Sequence, residues 1–224
     1  MIPYKDDNPT RIFPFVTIGI IVLNILVFLL QILSEGGLQG SVLRYGAIPH
    51  NILTFNTEQT VNPVFTIFSA MFMHGGLFHI GGNMLYLWIF GNNIEDKLGH
   101  LRFIVFYLFC GIVSAYAHAV TDPNSVIPMI GASGAVSGIL GAYLMLFPKA
   151  NVYTIIFLGF FMTTVKIPAL IVIGFWAIIQ FINGLISAGL PNKGGVAWFA
   201  HIGGFMVGLL TIKLWLLRRD RRWL

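Results

Sequence analysis

Apolar runs about as long as a bilayer is thick recur along this chain, at residues 14–34, 76–93, 101–120, 131–148, 167–187 and 197–217. Nothing else in the sequence constrains the fold as strongly. A run of roughly 20 apolar residues matches a hydrocarbon core of about 30 Å, and in that medium every backbone N–H and C=O must be satisfied within the segment itself. The chain is therefore predicted to be an all-α membrane protein with six transmembrane helices. Composition agrees: 57% of its 224 residues are hydrophobic and 9% are charged, against about 25% charged in soluble domains.

The run Asn151 to Val165, NVYTIIFLGFFMTTV, is ambiguous. It is apolar but lies between Lys149 and Lys166, and as a helix it would reach only about 22 Å. It is expected to form a dipping connection between the fourth and fifth spans. Six spans put both termini on one side. Lys5, Arg11, Lys97, Arg102, Lys149, Lys166, Lys213, Arg218, Arg219, Arg221 and Arg222 all fall there, with Arg44 and Lys193 opposite. By the positive-inside rule that side is cytoplasmic. The formal charge of +5 thus reads as a topology signal, and no nucleic-acid partner is expected.

Three segments follow: a cytoplasmic tail over 1–13, a six-helix membrane domain over 14–217 and a basic cytoplasmic tail over 218–224. The opening MIPYKDDNPTRIFPF is polar and acidic, unlike a signal or transit peptide, so the first span is expected to remain as an anchor. The segment from Glu35 to Gly76 forms a long outer loop whose apolar clusters are too short to span, giving it an interfacial position. Cys110 is the single cysteine, which excludes an internal disulfide and fits a small packing residue.

Polar residues inside the spans carry the functional signal, because each is costly in lipid. Counting about 1.5 Å per residue from the cytoplasmic helix ends puts His79, Ser133 and His201 at about 22–25 Å, near the outer surface, on three different helices. Asn83 lies one turn below His79 on the same face. Gly134 and Gly138 on the fourth span, and Gly204 and Gly208 on the sixth, form small-residue faces that let two helices approach closely. Such an approach brings Ser133 within hydrogen-bond reach of His201, which can then take the hydroxyl proton as the oxygen attacks a carbonyl. All eight acidic residues fall in loops, tails or helix ends, so the pair is a dyad without a carboxylate. Candidate donors to the resulting oxyanion are the Asn83 amide, His79 and the Ser133 N–H. The sequence has no HExxH zinc motif, no intramembrane aspartate pair and no GxSxG elbow.

Three motifs in order, HGGLFHIGGN (His74, His79, Asn83), GASG (Gly131 to Gly134) and AHIGGFMVG (Ala200 to Gly208), resemble those of the rhomboid family of intramembrane serine proteases. The resemblance implies a six-helix core with Ser133 as nucleophile and His201 as general base. His79, Asn83 and the Ser133 N–H would form the oxyanion site, and a cavity lined by His74, His79 and Asn83 would supply water. It implies cleavage of other proteins' transmembrane segments near the outer face, with no cofactor and no metal, in contact with the lipid bilayer. A chain with no added domain or presequence suits a bacterial plasma membrane. Two departures from the family pattern stand out. Phe65-Thr66 occupies the region where many members carry a Trp-Arg pair, and Ser137 stands where some have a tyrosine stacked on the histidine. His201 is then held either by Ser137 or by aromatic packing. Two other readings remain open: a pseudoprotease that binds membrane helices without cutting them, and a transporter or channel whose pathway the polar layer lines.

Overall fold

The structure, a computed structural model, describes residues 2–56, 59–159, 161–188 and 195–220. Lys193 and the tail residues Arg221 and Arg222, counted above as topology signals, lie outside the described residues. In chain order the elements are β1 (Ile2–Asp6), α1 (Phe15–Leu33), α2 (Gly37–Tyr45), α3 (Pro49–Thr54), α4 (Pro63–Ala70), α5 (Leu77–Leu98), α6 (His100–Thr121), α7 (Ser133–Leu146), β2 (Asn151–Leu158), β3 (Phe161–Pro168), α8 (Ala169–Ala188) and α9 (Trp198–Asp220).

Among the described residues, α1, α6, α8 and the Trp198–Leu216 part of α9 are long and apolar enough to cross a membrane, and α7 is a shorter apolar helix. The chain is thus a multi-pass membrane protein. The α5 helix has 22 residues, a spanning length, but carries His79, Asn83, Asn92, Asn93, Glu95, Asp96 and Lys97.

The bundle is organised around α7. Its residues Gly134 to Tyr143 are all buried, as expected of a helix that is apolar all round and enclosed by others. Here α9, α6 and α5 pack around it. Leu87 and Phe90 of α5, Phe106 of α6, and Ile139 and Leu140 of α7 meet in the core. Because lipid tails are as apolar as these side chains, the cohesion comes from close van der Waals packing and interhelical hydrogen bonds, not from expelling water.

A second set of polar contacts closes the end of the bundle nearer the N-terminus. Glu95, fully buried, accepts hydrogen bonds from Val16 N–H at 2.9 Å, Thr17 N–H at 2.7 Å and Thr17 Oγ1 at 2.6 Å. His100 Nδ1 lies 2.6 Å from Glu95 Oε1, the oxygen that also takes the Val16 N–H. A carboxylate from α5 therefore satisfies the free N–H groups that open α1 and faces the positive end of that helix. Asp96 takes the Arg11 and Ile12 N–H groups just upstream at 2.7 and 3.0 Å. Glu95→Ala is expected to lower stability by about 2 kcal/mol or more, since hydrogen bonds to charged groups contribute about 1.5–3 kcal/mol each. Thermal unfolding in detergent micelles measures it.

Two expectations from sequence need correction. The fold is not all-α, because the connection over 151–165 is built of strands: β1, β2 and β3 form a three-stranded antiparallel sheet in that order. β2 pairs with β3 from Asn151↔Pro168 to Leu158↔Phe161, through a turn at Gly159, whose φ is +62°. The β-branched and aromatic residues of VYTIIF and TTV favour strands, but an unbroken apolar run does not distinguish a strand from a helix by its period. The N-terminal residues 2–6 join the sheet through β1, which pairs with β2. Buried Asp6 accepts hydrogen bonds from Asn93 Nδ2 at 2.9 Å and Tyr143 Oη at 2.6 Å. Burial pushes its carboxyl above the ordinary carboxylate range, whereas hydrogen bonds from Asn151 hold that of Asp7 below it. The segment expected as a long loop folds instead as α2, α3 and α4, with Ile52, Thr66, Ile67 and Ala70 buried.

Candidate active site

Short helices and an extended segment fix the backbone ahead of Ser133. Ala47, after α2, and Met129 exchange backbone hydrogen bonds at 3.0 and 2.9 Å, and Gly131 N–H donates to the Ala70 carbonyl at 2.8 Å. Gly131 has φ +128°, a conformation that strains any residue with a Cβ. A Cβ there would also stand 2.8 Å from His79 Nε2. The chain then enters α7 at Ser133, its first residue. The Ser133 N–H has no acceptor within the helix, and the positive end of the helix dipole lies beside the hydroxyl.

Close approach of α7 and α9 supplies the partner. A Cβ on Gly204 would clash with the Gly134 carbonyl oxygen, and one on Gly208 with that of Gly138, so the two backbones touch. Gly134 and Gly138 likewise admit Ser114 and Cys110 of α6. With the helices in contact, Ser133 Oγ lies 2.8 Å from His201 Nε2. The imidazole's other nitrogen, Nδ1, lies 2.8 Å from Gln180 Oε1 of α8. Trp176 and Trp198 flank the ring, with centroids 6.2 and 6.1 Å away. Ser137 does not reach His201; its hydroxyl donates to the Ser133 carbonyl at 2.6 Å.

His79 stands on the opposite wall. Its Nδ1 accepts the Gly75 N–H at 3.3 Å, which leaves the proton on Nε2, the nitrogen beside Gly131. Asn83 is buried and its amide donates to the His79 carbonyl at 2.9 Å. Two cavities share His79, Ser133 and His201: one of about 690 Å³, reaching His118 and Asp122, and one of about 250 Å³ that also includes Asn83, Tyr86 and Trp176. His74 lines neither of them. It is fully buried behind His79, with ring centroids 5.1 Å apart, and its backbone N–H donates to Gln31 Oε1 at 2.9 Å. Its expected place on a water cavity is corrected accordingly: the turn before α5 directs its ring into the protein.

Sequence reading missed Gln180. A carboxylate is the group usually expected to orient such a histidine, whereas the group in place is a neutral amide. The signal was a glutamine in line with buried Ala169, Ile173 and Gly184 on an otherwise apolar helix face, where an amide needs a partner.

Spanning helices, with a serine hydroxyl held against an imidazole among them, define a multi-pass membrane protein with a half-buried Ser–His contact. A model of the rhomboid domain matches residues 61–218, and the chain belongs to the rhomboid family. It is 30% identical over 208 residues to the rhomboid protease GluP of Bacillus subtilis, covering 93% of this chain and 35% of that protein. It is 31% identical over 150 residues to the mitochondrial rhomboid protein 1 of Saccharomyces cerevisiae, covering 65% and 40%. With the mitochondrial presenilin-associated rhomboid-like protein of Homo sapiens it shares 34% over 150 residues, covering 65% and 36%. The chain spans less than half the length of these relatives. Bacterial and mitochondrial proteins both match, so the likeness selects no compartment.

Proposed function

We propose that this protein is an intramembrane serine endopeptidase that hydrolyses transmembrane segments of other proteins. The observation that carries the reading is the 2.8 Å contact between Ser133 Oγ and His201 Nε2. Ser133 Oγ attacks the scissile carbonyl carbon as its proton passes to His201 Nε2. The negative oxygen of the tetrahedral intermediate meets the Ser133 N–H, His79 Nε2–H and, after a side-chain rotation, the Asn83 amide. Collapse breaks the C–N bond, and His201 returns the proton to the leaving amine. Water then attacks the acyl-enzyme, giving one proton to His201 and releasing the acid as the serine is reprotonated.

The membrane arrangement we propose has six spans, α1, α5, α6, α7, α8 and α9, with both termini cytoplasmic and 14–217 as the membrane domain. It rests on the basic residues Lys5, Arg11, Lys97, Arg102, Lys149, Lys166 and Lys213 clustering at one end of the topology. The site is then near the outer face, where α2 to α4 lie at the interface. The backbones of α5 and α8 do not pack on each other among the described residues, and the 250 Å³ cavity between them gives a substrate segment access to Ser133. Because a hydrogen-bonded helix shields its carbonyls, substrates with small and helix-breaking residues near the outer end are favoured.

A fluorophosphonate probe is expected to form an adduct on Ser133, found by mass spectrometry and absent in His201→Ala. A folded wild type that takes no adduct would favour a binding protein without hydrolysis. His79→Ala is expected to lower kcat about 10²–10³-fold with little change in KM, the usual effect of losing one oxyanion donor.

A further inference from the structure

We propose that Gln180 is a positioning residue that fixes which nitrogen of His201 carries the proton. The inference rests on the peptidase reading for its consequence but not for its geometry. Three contacts run in series. Ser133 Oγ meets His201 Nε2 at 2.8 Å, His201 Nδ1 meets Gln180 Oε1 at 2.8 Å, and Gln180 Nε2 meets the Trp176 carbonyl at 3.4 Å.

One proton arrangement satisfies the whole series. The Trp176 carbonyl only accepts, so it takes the amide NH₂ of Gln180 and turns the amide oxygen toward His201. That oxygen also only accepts, so Nδ1 carries the hydrogen. Nε2 is then left with its lone pair toward the serine hydroxyl, the form a general base needs. Turning the amide over would put two acceptors, Gln180 Oε1 and the Trp176 carbonyl, against each other. It would also place a hydrogen on His201 Nε2, facing the hydroxyl it must deprotonate.

Gln180 is 7% exposed, on a helix face otherwise lined by Ala169, Ile173 and Gly184. A buried amide on such a face is costly without hydrogen bonds, and His201 is the side chain that satisfies its oxygen. A carboxylate at this position would orient the ring and also stabilise the imidazolium. The neutral amide does the first without introducing a charge into the helix bundle.

The test compares Gln180→Met and Gln180→Glu with the wild type. Methionine keeps the side chain's length and apolar packing but removes the strong acceptor; glutamate keeps an acceptor oxygen at the same reach. If Gln180 positions His201, Gln180→Met loses about 10- to 100-fold in kcat and in the rate of fluorophosphonate labelling, with KM nearly unchanged. That is part of the roughly 10²–10⁴ a general base supplies. Gln180→Glu retains more activity than Gln180→Met despite burying a charge. A packing role predicts the reverse order, and that order would overturn the proposal.

Imidazole ¹⁵N shifts of histidine-labelled protein read the tautomer directly. His201 is expected as the Nδ1–H form in the wild type and as a mixture in Gln180→Met. An Nε2–H form in the wild type, or the same tautomer in both proteins, would refute the assignment. This readout needs no turnover, so a protein that cuts nothing would sink the peptidase reading while still deciding the role of Gln180.

Discussion

Ser133→Ala is expected to lower cleavage of a transmembrane substrate by about 10⁴-fold or more, and His201→Ala by a similar factor. The two residues act as one unit in the proposed reaction: without the imidazole the hydroxyl keeps its proton, and without the hydroxyl the imidazole has nothing to activate. Losses of this kind are far from additive, so the double variant should be no slower than either single one. Both side chains lie at the edge of shared cavities, so their truncation should leave the fold intact, as a thermal melt can show. Rates measured in one detergent for all four proteins test the expectation. A double variant slower by the product of the single effects would mean that the residues act independently.

The second large effect is expected far from the reacting atoms, at Gly208. A Cβ there would clash with the Gly138 carbonyl oxygen and stand 2.7 Å from the Gly138 Cα. The neighbour is backbone, so no rotamer change relieves the clash, and α9 must move away from α7. Gly208→Ala should therefore sit at the upper end of the about 1–3 kcal/mol typical of overpacking. Ser133 is carried by α7 and His201 by α9, and a displacement of about 1 Å can lower a rate about 10²-fold. We expect a lower melting temperature and an activity loss of that order together. Gly174→Ala in α8, whose new Cβ meets nothing within 4 Å, is the control and should change neither.

The positions of the helices were legible because the length of an apolar run measures bilayer thickness directly. The meeting of Ser133 with His201 was legible because depth can be counted along a helix and because Gly204 and Gly208 mark a close-packed face. The sheet was not legible. Only β2 is largely apolar on both sides of the pleat, and the pairing of residues 2–6 with this distant strand is a long-range contact that local pattern does not encode. Glu95 read as a group at a helix end; that it caps α1 depends on how α1 and α5 meet in space. Gln180 was hidden for a different reason, since an amide in a membrane helix is usually glue between helices. Only the structure distinguishes that from an amide facing an imidazole nitrogen.

The most direct test of the central claim uses wild-type protein in liposomes with a model transmembrane substrate bearing a small residue near its outer end. Mass spectrometry of the products locates the cut. The account predicts one main cut within the outer part of the substrate's span, with no metal or cofactor added and none of it remaining in Ser133→Ala. A cut that survives Ser133→Ala, or a folded wild type that leaves the substrate whole, would contradict it.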